Sequence, residues 1–136
     1  MTAISAVAVV VLGKNSPRTI DVLRTLAHLH NISWLASQSA ILSRLTCKDV
    51  ACVVIADDLE EASSLDLLRH IRQHKPDVPI YLVTETDAMA DAVAGMRLGA
   101  AAAIEIPPCY ELLRDCVSKA LDGVPDSKPR LARCEP

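Results

Sequence analysis

The chain has 136 residues, of which 51% are hydrophobic, and a net charge of −3. That length suits one domain with a full core and is too short for two ordinary ones. The negative balance excludes the basic groove that nucleic-acid backbones require, and no apolar run is long enough to span a bilayer. With no Phe, one Trp and two Tyr, the core must be built from Val, Leu, Ile and Ala. The start, MTAISAVAVVVLGKN, lacks the positive charge that opens a secretory leader and reads as a first strand. Five cysteines, Cys47, Cys52, Cys109, Cys116 and Cys134, form no CxxC pair. Neither a disulfide framework nor a zinc knuckle is expected from them. Cys52 and Cys116 read as small core residues, and the cytoplasm is the expected compartment.

Along the chain, short apolar runs alternate with amphipathic stretches. Residues 7–12, 32–36, 51–56, 79–83 and 102–106 read as strands. The first and third are almost continuously aliphatic, as in a central parallel strand covered on both faces. The first helix opens at NSPRTIDVL, with Ser16 as N-cap and Pro17 at the first helical position. Ile20, Leu23, Ala27 and His30 are expected on its buried face. A short helix follows over about residues 39–47. The third, SSLDLLRHIRQHK, starts at a serine cap, gathers its basic residues in the last turn and ends at Pro76. The fourth covers about residues 88–98 and stops at Gly99. The fifth covers about residues 109–121, with Leu112, Leu113, Cys116, Val117 and Ala120 inward. Five strand–helix units in strict alternation predict an α/β sandwich around a parallel sheet. After Gly123 the text is GVPDSKPRLARCEP, rich in Pro and charge and without period. The expected division is a domain over 1–123 and a disordered tail or linker start over 124–136.

The segment VPIYLVTETDAMADAVAGMRLGAAAAIEIPP, residues 78–108, resembles the receiver domain of bacterial response regulators, as does LDLLRHIRQHKPDVPI before it. Thr84, Ala92-Val93, Met96, Gly99-Ala100 and Pro107 match the family pattern, and the resemblance extends over about residues 5–122. It implies a doubly wound, flavodoxin-like sheet of five parallel strands in the order 2-1-3-4-5. It also implies phosphoryl transfer onto an aspartate. That chemistry needs an acidic pair after strand one for magnesium and a nucleophilic carboxylate at the end of strand three. Thr or Ser after strand four and Lys after strand five then neutralise the moving charge.

Carried over position by position, the acidic pair falls on Gly13 and Lys14, the acceptor on Ala56 and the lysine on Ile106. The aromatic switch position holds Ala103; only Thr84 survives. Asp57 and Asp58 lie one and two residues past the acceptor position. A one-residue step along a strand turns a side chain to the other face, so both are expected to cap the following loop and helix while solvated. The expectation is therefore a degenerate pocket (Gly13, Lys14, Ala56, Asp57, Asp58, Thr84, Ile106) with no catalysis, metal or cofactor. The function expected is that of a phosphorylation-independent signalling module acting through protein contacts. The alternatives are an active phosphoacceptor at Asp57 or Asp58, and a third reading in which Lys14 and Thr84 bind an anion.

Other motifs carry less. LGKNS lacks the upstream glycine of a P-loop. His70 and His74 stand one helical turn apart without a glutamate of the HExxH kind between them. The fourth helix, AMADAVAGMRLG, is nearly apolar all round, where a helix covering one sheet face should show a wide polar stripe. Met89, Ala90, Val93, Ala103 and Tyr110 are therefore the expected interaction face. In receivers the helix 4–strand 5–helix 5 face is a common dimerisation site, so a homodimer is the expected partner state. AIEIPPCYELLRDCVSKAL also resembles the atypical receivers that begin flagellar sigma-54-dependent activators. That likeness implies a regulatory N-terminal domain, with no membrane or direct nucleic-acid contact.

Overall fold

In the computed structural model the described residues are 8–29, 31–46, 49–107, 109–123 and 130–132. Five strand–helix units follow in order: β1 (Ala8–Leu12), α1 (Pro17–Thr25), β2 (Ile32–Leu35), α2 (Gln38–Leu45), β3 (Val50–Ile55), α3 (Ser64–His74), β4 (Ile80–Thr84), α4 (Met89–Arg97), β5 (Ala102–Glu105) and α5 (Tyr110–Leu121). All strand pairs are parallel and the first five strands lie in the order 2-1-3-4-5. This is the doubly wound, flavodoxin-like arrangement with helices on both faces. A sixth strand, β6 (Arg130–Ala132), runs parallel along the free edge of β5. It comes from the segment that reads as a tail, because three residues give too little periodicity to recognise.

The strand period of two divides the core. Val9, Val11, Cys52, Val54, Ala56, Tyr81, Val83 and Ile104 point to one side, where they pack with Val22, Leu26, Leu113, Cys116 and Val117. Val10, Leu12, Val53, Ile55, Ile80 and Leu82 point to the other, against Ile41, Leu45, Leu67, Leu68 and Ile71. Each such aliphatic side chain contributes about 1.5–3 kcal/mol on burial, which is how a core without Phe suffices. Tyr81 is fully buried, and its hydroxyl donates to the Cys116 carbonyl at 3.1 Å.

Serines start three of the helices: Ser16, Ser37 and Ser63 each accept from a backbone N–H three residues on. In α1 the buried positions are Thr19 and Val22, followed by Leu26 just past the helix. Ala27 is exposed and Ile20 and Leu23 are half-buried, so the inward stripe is offset from the expected one. The helix ends at Thr25, and His30 lies outside the described residues.

Arg72 ties the far ends of α3 and α4 together. Its guanidinium donates to the carbonyls of Pro76 at 2.6 Å and Gly99 at 2.8 Å. Gly99 sits at φ +108°, a left-handed conformation that glycine adopts without a Cβ penalty, and so closes α4. Arg72→Ala is expected to lower stability by about 2 kcal/mol, because both carbonyls lose a charged donor. An unchanged urea midpoint would show that these bonds contribute nothing.

Candidate functional site: a carboxylate at the rim of the sheet

The C-terminal ends of β1 and β3 meet where the strand order reverses, the place where open α/β sheets form their sites. Ala56 continues the β3 alternation and points into the core, fully buried. Asp57, the next residue, emerges on the rim between the β1–α1 turn and α1. It is not solvated: only 7% of it is exposed. Ser16 Oγ donates to Asp57 Oδ2 at 2.6 Å, and Arg18 Nη2 donates to Oδ1 at 2.5 Å. The Asp58 backbone N–H donates to Oδ1 at 2.7 Å. Burial by itself raises the carboxyl pKa. The hydrogen bonds from Ser16, Arg18 and the Asp58 amide, with the charge of Arg18, outweigh it and hold Asp57 below its usual range.

The expectation that both aspartates are solvated caps is thus corrected for Asp57 and holds in part for Asp58. Asp58 Oδ1 accepts from Ser64 N–H at 2.7 Å and Ser64 Oγ at 2.8 Å, which fastens the first turn of α3. The Asp58 carbonyl accepts from the Lys14 amide at 3.0 Å. Asp57 departs from the expectation because the chain bends at the strand end, so the strict two-residue alternation stops at Ala56.

Arg18 is a residue of this candidate site that the sequence did not single out. It lies at the second position of α1, and Nη1 also donates to Glu85 just beyond β4 at 2.9 Å. The guanidinium therefore joins α1 to the rims of both β3 and β4. A proline followed by an arginine in the first helical turn, opposite a DD pair, was the available signal. It became interpretable only once α1 and β3 were adjacent.

Thr84 ends β4 and is buried. It lines a rim cavity of about 360 Å³ with Arg18, Asp58, Ser63, Ser64, Glu85 and Asp91. Lys14 is half-buried and does not line this cavity. With three carboxylates in the wall and Arg18 already paired, the cavity does not suit an anion. Ile106 is buried in the core and precedes a cis peptide bond to Pro107. Gly13 offers no carboxylate and no room for one. A Cβ there would overlap Thr19 Oγ1 and stand 3.1 Å from the Asp57 amide nitrogen. Among the described residues no group of three His, Cys, Asp or Glu side chains is placed to hold a metal ion. The donor set at Asp57 does not fit magnesium, because a guanidinium stands on the carboxylate where the cation would bind.

On α4, Met89 and Ala90 are exposed, while Val93 is half-buried, as is Tyr110 at the start of α5. Ala103 is buried in the middle of β5 with Leu82 beside it, and is not part of a surface. The edge of β5 itself is covered by β6. The rings of His70 and His74 pack at a tilt, with centroids 4.5 Å apart and an interplanar angle of 48°. No described helix is long and apolar enough to cross a membrane.

The profile of the response regulator receiver domain matches residues 15–117. The chain belongs to this family. Among solved structures it is similar to the receiver domain of NtrX from Brucella abortus, at 20% identity and a TM-score of 0.72, covering 84% of this chain and 98% of that one. A Bacteroides fragilis response-regulator receiver domain aligns at 19% identity and a TM-score of 0.71, covering 84% of this chain and 96% of that one. Full-length FixJ from B. japonicum aligns at 20% identity and a TM-score of 0.70, covering 86% of this chain and 58% of that one. At these identities the likeness shows the fold. No curated protein sequence matches the chain.

Proposed function

We propose that the chain is a receiver-type signalling module acting through protein contacts. Asp57, one residue past the family's acceptor position, is its rim carboxylate, and Arg18 is a built-in cation that closes it. The observation that carries this reading is the bonding of Asp57, with one oxygen on Arg18 and the other on Ser16. An ionised, buried and already neutralised carboxylate is a poor nucleophile, since attack requires the guanidinium to move away. With Gly13 and Ile106 in place of an acidic residue and a lysine, the module works in this reading without phosphorylation. On α4, Met89 and Ala90 are exposed apolar groups available for partner contacts, including a second copy.

A second reading, an active phosphoacceptor, draws on the same residue. Asp57 stands at the rim beside a serine and an arginine rather than in solvent, and both groups are able to offset phosphoryl charge. Treatment with acetyl phosphate, or with beryllofluoride and magnesium, separates the two. The first reading expects no phosphoryl adduct by intact mass and no change in the amide signals of Gly13, Asp58 and Thr84. An adduct, or shifts abolished by Asp57→Asn, would establish the second and remove the first.

A further inference from the structure

We propose that the rim cavity between the first turns of α3 and α4 takes a primary alkylammonium group, either the lysine side chain of a partner protein or a free diamine. The inference rests on the cavity alone and holds whether or not Asp57 accepts a phosphoryl group. Ser63, Ser64 and Leu65 line one wall, Ala88 and Asp91 another, and the last residues of β4 complete it. Its volume of about 360 Å³ falls in the size range of small-ligand pockets.

The charge around the cavity is unbalanced. Arg18 divides its guanidinium between Asp57 and Glu85. Asp58 and Asp91 form no ion pair with any described residue. The first turns of α3 and α4 each add about half a positive charge. Against those two halves and one guanidinium stand the four carboxylates, so about two negative charges remain. Solvated carboxylates alone do not make a site, but a buried hydroxyl without a partner stands beside them. Thr84 is only 7% exposed, and its side chain makes no hydrogen bond to any described group. Alternation along β4 puts it on the same side as Leu82, and both residues line the cavity. A buried hydroxyl demands a partner, and the cavity is where one can reach it.

The acceptors decide the kind of cation. Asp58 Oδ1 is taken by the Ser64 amide and hydroxyl, which leaves Oδ2 as a single acceptor. A guanidinium fork is best matched by both oxygens of one carboxylate. An ammonium carries three separate donors, one each for Asp58 Oδ2, the Thr84 hydroxyl and the Asp91 carboxylate. A magnesium shell sets its oxygens roughly 3 Å apart, whereas hydrogen bonds of about 2.9 Å allow acceptors roughly 4–5 Å apart. The wider spacing agrees with the lack of a metal-holding group among the described residues. Leu65, Leu82, Val83 and Ala88 offer apolar wall to a methylene stem.

An NMR titration of the isotope-labelled 136-residue chain at fixed ionic strength tests this. One arm uses Nα-acetyl-lysine methylamide, the other diaminobutane, and tetramethylammonium, which has the charge but no N–H, is the control. Saturable shifts are expected at the amides of Ser64, Ala88 and Asp91. Affinity should fall about tenfold in Asp58→Asn and in Thr84→Val. Asparagine keeps the acceptor for Ser64 and valine keeps the shape of threonine. Asp91→Asn, at an exposed position, adds a variant that leaves the core untouched. Saturation by the lysine derivative assigns a partner's side chain, and saturation by the diamine alone assigns a free amine. Shifts no different from those with tetramethylammonium, or binding that all three variants leave unchanged, would overturn the proposal. No phosphoryl donor is present, so the result stands apart from the test on Asp57.

Discussion

Arg18→Ala is expected to cost about 2–3 kcal/mol of stability at neutral pH, since it leaves a buried carboxylate with its charge uncompensated. The loss exceeds that of an exposed ion pair because Asp57 is almost wholly buried, whereas the Arg18–Glu85 half of the bridge, with Glu85 open to solvent, adds little. The pH dependence gives the signature. In the wild type the folded Asp57 pKa is depressed. Its contribution is therefore present above the ordinary carboxylate pKa and disappears as pH falls through the folded value. Removing Arg18 takes away one hydrogen bond and one positive charge and leaves burial, which acts the other way. The Asp57 pKa should rise, and the mutant should lose stability at a higher pH than the wild type. Urea denaturation from pH 7 to pH 3, with an NMR titration of the Asp57 carboxyl carbon, measures both. Parallel stability curves for the two proteins would show that Arg18 is not the counter-ion of Asp57.

Gly13→Asp, the change that supplies a carboxylate beside Asp57, should cost about 3 kcal/mol and create no magnesium site. The new Cβ meets the buried Thr19 hydroxyl and the Asp57 backbone, neither of which has space to retreat. Overpacking of that kind costs about 1–3 kcal/mol, and a second carboxylate at the same rim adds repulsion. Trp34 reports the outcome directly, because its indole N–H donates to the Gly13 carbonyl at 2.9 Å. A magnesium titration of Trp34 fluorescence in the mutant should be flat. Saturable quenching with wild-type stability would mean that the pocket is only one carboxylate short of a metal site. The structure argues against that: Gly13, Thr19, Ser16 and Arg18 form a packed arrangement around Asp57, so the departures from the family pattern support one another.

Some of this was legible before any contact was known. The strand and helix order followed from hydrophobic period, serine caps, Pro17, Pro76 and Gly99, because those signals act within a few residues of the chain. The aliphatic runs at β1 and β3 showed that these strands are central, since only a strand covered on both faces tolerates no polar alternation. The loss of the acidic pair and of the lysine was visible as Gly13, Lys14 and Ile106, because residue type alone decides whether a carboxylate or an ammonium group is present.

What the sequence could not decide was where side chains point after a strand ends. Counting by twos sent Asp57 away from the rim; the bend after Ala56 returned it there, and alternation has no authority outside a strand. Arg18 looked like an ordinary first-turn residue because its partners are 39 and 67 positions away, and only the docking of α1 beside β3 and β4 brings them together. β6 was missed for the same reason. Three residues among prolines and charges have no pattern of their own, and become a strand only because β5 offers an open edge. Local order was therefore set by the sequence through short-range propensities. The charge balance of the rim and the cover of the edge were decided by tertiary structure, because both depend on groups far apart in the chain meeting at the ends of one sheet.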